Sequence, residues 1–248
     1  MTQHMPSKPK LILCNGKKYL VKDPSKDYHF QFGFLKAAKL KNAKEGEVLQ
    51  TNMGRACTVF TACFLDQYRK IKRGAQIIPL KDIGLIITNT GIEKNSIIVD
   101  AGAGSGGLCC FLANIAKKVV SYEIRDDFAK IVEENKKLLN LKNLTIIKHD
   151  VTKGIKEKNV DVVIFDLPSP WDGLDAAYAA LRPGGFLVSY SPTIPQVADF
   201  VNIAVEKGWH VVKTSEIIER EWEVTGRKVR PMSQQIGHSG FLSFLRKQ

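Results

Sequence analysis

The sequence is poor in the features that mark a secreted, membrane or metal-bound protein. It has five cysteines (Cys14, Cys57, Cys63, Cys109 and Cys110), an odd set with no metal-ligand spacing and no disulfide framework. His149 and His238 have no second histidine or cysteine at ligand spacing, so both read as structural and no metal is expected. No apolar run approaches the roughly 20 residues that a membrane span needs. The stretch from Met1 to Lys10 is polar and carries Pro6 and Pro9, which is not the apolar core of a secretory signal. A cytoplasmic protein is expected.

Acidic residues are scarce in one region only. Residues 1–75 hold 15 Lys+Arg against 5 Asp+Glu, whereas the rest of the chain is nearly balanced, within a net charge of +12. A basic head on a near-neutral body suggests a module that meets a polyanion, an RNA ahead of a membrane surface. A lysine-rich solvated surface is the other reading, and charge alone does not separate RNA from DNA.

At 248 residues and 44% hydrophobic content, the chain has material for one large domain, or a main domain with a small accessory one. Asn15-Gly16, between Lys10–Cys14 and Lys17–Val21, predicts a β-hairpin, because both central residues of a type I′ turn need positive φ. The first part therefore reads as a small, basic, β-rich domain over residues 1–62. Its aromatic stretch from Tyr28 to Phe34 suits a core better than a base-stacking surface. A helix is predicted over 64–72, a bridging segment over 75–82 and a helix over 83–90.

The second part, residues 63–248, turns on Ser96–Gly107. Apolar β-formers are followed by glycines at alternating positions, which predicts a strand, a tight turn and a helix. From there strands and helices alternate at the spacing of a parallel α/β sheet. Strands are expected at 96–100, 118–123, 144–149, 161–166, 186–190, 210–218 and 240–246. Helices are expected at 107–117, 126–140, 173–181 and 195–207.

The glycine loop by itself fits two cofactors. Gly102, Gly104 and Gly107 satisfy G-x-G-x-x-G of dinucleotide sites, while Asp100, Gly102, Gly104 and Gly106 suit S-adenosylmethionine (SAM). Ligands of such sheets bind outside the strands' carboxyl ends, where Asp100, Glu123, Asp150, Asp166 and Tyr190 fall. Successive carboxylates suit the hydroxyl and amino donors of an adenosine better than a pyrophosphate, and the loop has no lysine for phosphates. That favours SAM over a nicotinamide cofactor. Asp166-Leu167-Pro168-Ser169-Pro170-Trp171 adds a stiff loop just past a strand end. Each residue also has a structural reading: Asp100 bonding its own loop, Asp150 capping a turn, Tyr190 in the core.

These segments together resemble the tRNA (adenine-N1)-methyltransferase family. The resemblance is carried by the glycine loop, Ser121–Arg125 with Phe128-Ala129, Asp166-Leu167-Pro168-x-Pro170 and Leu181-x-Pro183-Gly184-Gly185-Phe186. Tyr190-x-Pro192 with Gln196-Val197, Glu219-Arg220-x-Trp222, Arg230-Pro231 and His238-x-Gly240 extend it to the C-terminus. It implies a Rossmann-like SAM-dependent methyltransferase sheet with a small N-terminal β-rich domain. The implied activity is methylation of adenine N1 in the tRNA T-loop, at position 58 and in archaeal members also 57, by a homotetramer. By motif, Asp100, Gly102, Gly104, Ser105 and Gly106 would form the cofactor loop. Glu123 would hold the SAM ribose, Asp150 its adenine, and Asp166 the target base, with Tyr190 helping to place it. Arg220, Trp222 and Arg230 either touch RNA or brace a C-terminal hairpin. One motif departs: Gln-x-x-Tyr-Pro-Lys-Asp of the family is Gln76-Ile77-Ile78-Pro79-Leu80-Lys81-Asp82 here, without the tyrosine. Protein-isoaspartate O-methyltransferase, a non-catalytic RNA-binding subunit and a nicotinamide-dependent oxidoreductase are the rival readings.

Overall fold

The computed structural model of the chain describes residues 8–248, so Pro6 and its neighbours lie outside the described residues. The chain divides into two compact units, one ending at Ile71 and one spanning Lys72–Gln248. The break falls later than the expected 62/63 boundary. Only Ala62 and Cys63 separate strand β6 from the helix that follows it, too little chain to carry that helix into another unit.

The first unit contains β1 (Lys10–Cys14), β2 (Lys17–Val21), β3 (Tyr28–Phe30), β4 (Gly33–Leu35), α1 (Ala37–Asn42), β5 (Glu47–Gln50), β6 (Ala56–Thr61) and α2 (Phe64–Tyr68). Asn15 and Gly16 have φ of 52° and 72°, as the hairpin turn requires, and β1 and β2 pair antiparallel. The sheet order is β2-β1-β6-β5, with β3 and β4 as a separate pair. Ile12, Leu35, Leu40 and Val59 form its core, and Tyr19, Tyr28, Phe30 and Phe32 pack onto them. The aromatic stretch is thus largely structural. Contrary to the reading of the cysteines as forming no framework, Cys14 and Cys57 are disulfide-bonded: the β1–β6 register, which cysteine count does not reveal, sets them opposite each other with Cα atoms 4.5 Å apart. Helix α2 stops at Tyr68, short of the expected 72.

The second unit begins with α3 (Leu80–Thr90), which Pro79 precedes and Gly91, in left-handed conformation, ends. It continues with β7 (Ile97–Ala101), α4 (Gly107–Ala113), β8 (Lys118–Glu123), α5 (Asp126–Leu138), β9 (Leu144–Lys148) and β10 (Val160–Phe165). Then come α6 (Leu174–Ala180), β11 (Leu181–Ser191), α7 (Ile194–Glu206), β12 (His210–Ser215), β13 (Trp222–Thr225), β14 (Lys228–Pro231) and β15 (Phe241–Arg246). Helix α5 has Asp126 and Asp127 in its first turn and Lys136 and Lys137 in its last, matching the helix dipole at both ends.

The large sheet runs β12-β15-β11-β10-β7-β8-β9. Strands β7 to β11 pair in parallel, but β15 is antiparallel to both its neighbours, so the sheet is mixed rather than wholly parallel. Alternation of strands and helices ends at β12, and the chain reaches β15 through the β13–β14 hairpin instead of a crossover helix. Strand β11 also begins earlier than expected. Val160 pairs with Leu181 and Val162 with Phe186, so Arg182-Pro183-Gly184-Gly185 bulges out of a continuous strand. Val99, Val120, Val163, Phe165, Leu187, Phe200 and Leu245 are all fully buried between sheet and helices. Because β8 and β10 flank β7, chain direction across the sheet reverses there, which opens a crevice at the carboxyl ends.

Candidate functional site

The crevice is floored by the turn after β7. Gly102 has φ of 89°, and a Cβ on it would lie 2.0 Å from the Asp166 carbonyl oxygen, so only glycine lets the loop and the β10 tip approach this closely. Asp166 N–H donates to the Ala101 carbonyl at 2.9 Å, fastening that approach. Gly104 and Gly106 also have positive φ (50° and 79°), and Gly106 is the cap that precedes α4.

A cavity of about 310 Å³ lies beside the loop, with Glu123, Ile124, Asp150, Val151 and Leu167 among its walls. Glu123 is almost fully buried at the end of β8. Its carboxylate accepts from Gly104 N–H at 3.0 Å and Arg125 N–H at 2.9 Å, which fixes it while leaving lone pairs on both oxygens. Asp150 serves as a cap and also faces the cavity: one oxygen accepts from Thr152 N–H at 3.0 Å and its hydroxyl at 2.7 Å. Those hydrogen bonds hold its carboxyl below the usual carboxylate range. His149, expected to be structural, lines the same cavity and meets the Tyr122 ring edge-on. Tyr122 in turn donates from its hydroxyl to Glu157 at 2.6 Å. Ile124, though inside the Ser121–Arg125 motif, was given no role there, and His149 and Thr152, whose only signal was adjacency to Asp150, were missed.

A second, small cavity of about 20 Å³ lies among Asp100, Gly102, Asp166 and the segment Gln76-Ile77-Ile78. By motif it is Pro79 that stands at the position of the absent family tyrosine, and the isoleucines before it line this cavity. Asp100 is buried and accepts from Ser121 Oγ at 2.6 Å, on the neighbouring strand instead of its own loop. Burial pushes its carboxyl up to about 7, opposed by the Ser121 bond and assisted by the charges of Asp166 and Glu123. The Ser105 hydroxyl is engaged elsewhere: it accepts from Gly74 N–H (2.9 Å) and Ala75 N–H (2.8 Å) and donates to the Ala75 carbonyl. Its side chain braces that segment, so whatever Ser105 offers a ligand comes from its backbone.

Asp166 and Tyr190 stand side by side. Phe165 pairs with Ser189 in the β10–β11 register, and the next residue on each strand is Asp166 and Tyr190. Asp166 is reachable by solvent from the crevice yet hemmed in by protein, and that surround pushes its carboxyl up to about 6. Among the described residues, nothing donates a hydrogen bond to its carboxylate. The following loop is held by Gln196, which donates to the Pro168 carbonyl at 3.0 Å and accepts from Thr193 Oγ. Tyr190 is buried and donates to the Ser239 carbonyl at 2.5 Å; burial, with the nearby Asp82 and Asp166 charges, keeps it a neutral phenol up to about 12. Trp222 and Arg230 sit in the β13–β14 hairpin, where Arg230 pairs with Glu223 at 3.0 Å and Trp222 is exposed, an arrangement that leaves both bracing and RNA contact open. Among the described residues no cluster suits a metal ion, and no helix is long and apolar enough to cross a membrane.

The site has the chemistry of an adenosine-type ligand: buried and capped carboxylates for hydroxyl and amino donors, apolar walls for a flat ring, and a glycine cradle. SAM fits these residues, and comparison with known proteins agrees. The tRNA methyltransferase complex GCD14 subunit family matches residues 69–230. A Methanocaldococcus jannaschii protein named as a tRNA (adenine(57)-N(1)/adenine(58)-N(1))-methyltransferase is 33% identical, covering 95% of this chain and 93% of its own. A Thermus thermophilus tRNA (adenine(58)-N(1))-methyltransferase is 32% identical over 94% and 93%. Among solved structures, a SAM-dependent O-methyltransferase from Thermotoga maritima matches with a TM-score of 0.85 at 27% identity, covering 98% of this chain and 94% of that one. The tRNA (m1A58) methyltransferase of Aquifex aeolicus, 24% identical, shares the fold at a TM-score of 0.81 over 100% and 99%. The second unit is thus a Rossmann-like SAM-dependent methyltransferase sheet, the first a small antiparallel β domain, and the chain belongs to the tRNA (adenine-N1)-methyltransferase family.

Proposed function

We propose that the chain methylates N1 of an adenine in the tRNA T-loop, at position 58 with position 57 as a second target, acting as a cytoplasmic homotetramer. The observation that carries this reading is the Asp166 carboxylate: it faces the crevice between cofactor cavity and Tyr190 with no hydrogen-bond donor of its own among the described residues. When bound, SAM supplies a methyl group on a sulfonium. In the proposed roles, Glu123 takes the ribose hydroxyls, Asp150 the cofactor adenine, and Asp100 with Gly102, Gly104, Ser105 and Gly106 shape the loop beneath them.

Adenine N1 carries an in-plane lone pair, so no protein group needs to deprotonate it or form a covalent intermediate. Transfer of that methyl from sulfur to N1 would leave a neutral thioether and a base whose positive charge is shared with its 6-amino group. A carboxylate that accepts a hydrogen bond from that amino group stabilises the charge as it develops, and in a cleft screened from bulk water such an interaction is strong. In this reading Asp166 takes that role, and Tyr190 beside it positions the base. N1 lies on the Watson–Crick edge, so the target nucleotide leaves its stack to enter the crevice. The basic first unit supplies charge for the phosphate backbone.

The test is methyl transfer from labelled SAM to three acceptors: an unmodified tRNA transcript, the same transcript with A58 replaced, and an isoaspartyl peptide. The expected result is 1-methyladenosine in the first, most of it lost in the second, and no label in the peptide. Labelled peptide with unlabelled RNA would replace this reading with carboxyl O-methylation.

A further inference from the structure

Two residues of the Gln76–Asp82 motif that were given no role at the site form an enclosed polar cluster beside it. Lys81 and Asp82 open helix α3, and their side chains are 8% and 1% exposed. The Lys81 ammonium has three protons and three acceptors: the Asp82 carboxylate at 2.8 Å, the Ile217 carbonyl at 2.7 Å and Ser239 Oγ at 2.5 Å. Ser239 Oγ donates its own hydrogen bond to the other Asp82 oxygen at 2.7 Å, closing a ring of three side chains. The Ser239 carbonyl accepts the hydrogen bond of the Tyr190 phenol, and the Asp82 carboxylate also lies beside that phenol. Next to it, a Cβ on Gly240 would lie 2.4 Å from the Tyr190 ring, so the ring rests directly on this backbone.

One ammonium therefore holds both stems of the arm that carries the β13–β14 hairpin, Ile217 on the way out and Ser239 on the way back. The returning stem also decides where the Tyr190 proton points. With that proton committed to Ser239, the phenol offers an incoming base only a lone pair, alongside the carboxylate of Asp166. Two acceptors side by side suit an exocyclic amino group and repel a carbonyl.

We propose that Lys81 and Asp82 are positioning residues for methyl transfer, acting through Ser239 on Tyr190 to set the acceptor face of the base site. This rests on the function proposed above. A buried pair whose only task is to hold the fold predicts lost stability with no link to Tyr190; a positioning role predicts that the effects of Asp82 and Tyr190 on turnover are one and the same.

The experiment is a double-mutant cycle on the full chain, with 1-methyladenosine formed in tRNA as readout. Asp82→Asn, Tyr190→Phe and the double variant are compared for kcat, KM for tRNA and the dissociation constant of SAM. Each single variant is expected to lower kcat about tenfold or more with SAM binding within about twofold, and the double variant to be no slower than the worse single one. Multiplied losses, or an Asp82→Asn variant with wild-type kcat and only a lower Tm, overturn the proposal. Should Asp82→Asn not fold, Ser239→Ala takes its place in the cycle with the same expectation, since it cuts the link and leaves the ion pair. A wild-type chain that makes no 1-methyladenosine defeats the proposed function; an active one with independent effects defeats this inference alone.

Discussion

Asp166 couples environment to function most directly, its carboxyl exposed to the crevice yet crowded by the surrounding protein. Its carboxyl, pushed up to about 6 by the protein around it, is protonated in mildly acidic solution. Only the carboxylate accepts fully from a charged amino group, so the methyl-transfer rate is expected to fall as pH drops through about 6 and to be level above it. In Asp166→Asn this limb should vanish from the pH–rate profile; a limb that survives in the variant belongs to another group. Gly102 offers a complementary test of geometry. Alanine there combines positive φ with a backbone clash against Asp166, a strain of about 1–3 kcal/mol. Gly102→Ala should lose thermal stability and SAM affinity together, whereas a fall in Tm with unchanged affinity would separate the turn from the cavity. At this scale the sequence was most legible for Asp166, Tyr190 and Glu123, because strand ends point side chains into the crevice. It was least legible for Ser105, whose hydroxyl is consumed by residues about thirty positions away, and for His149, whose partner Tyr122 lies on another strand.

Among the elements, the arm over residues 216–240 has a second fastening at His238. Its Nδ1 meets Glu216 at 2.6 Å and its Nε2 meets the Pro192 carbonyl at 2.9 Å. Two acceptors call for two ring protons, and both bonds raise the imidazolium's pKa above the ordinary value. Its folded-state pKa being raised, the stability it adds is fully present below about 6.5, the usual histidine value, and is lost as pH rises through the higher folded value. Amide exchange of residues 216–240 should accordingly quicken over that rise, and His238→Gln should flatten the response. Exchange in the arm that is indifferent to pH in both proteins, after correction for intrinsic rates, would remove His238 as a fastening. Local signals did foretell the elements built from local contacts: Asn15-Gly16 for the first hairpin, and the β7 turn with its glycines. They did not foretell that β15 enters antiparallel or that β11 runs through Arg182–Gly185, since register with a distant strand decides both.

For the whole molecule, the uneven charge carries the binding argument. Lys36, Lys39, Lys41 and Lys44 are exposed on or beside α1. If they meet phosphates, replacing all four with glutamine should weaken tRNA binding and reduce the slope of log K against log salt by about 0.7–0.9 for each phosphate no longer neutralised. An unchanged slope would assign the RNA to other basic residues. Charge composition revealed that a polyanion was expected; which lysines touch it depends on a surface that no periodicity encodes. The central claim joins all three scales: the cofactor cavity feeds a base held by Asp166. It is tested most directly by single-turnover methyl transfer to tRNA, with SAM affinity measured in parallel, for wild type and Asp166→Asn. A rate reduced by about 10²–10³ with SAM affinity nearly unchanged is the predicted result. A variant that transfers methyl within a few-fold of wild type would contradict it.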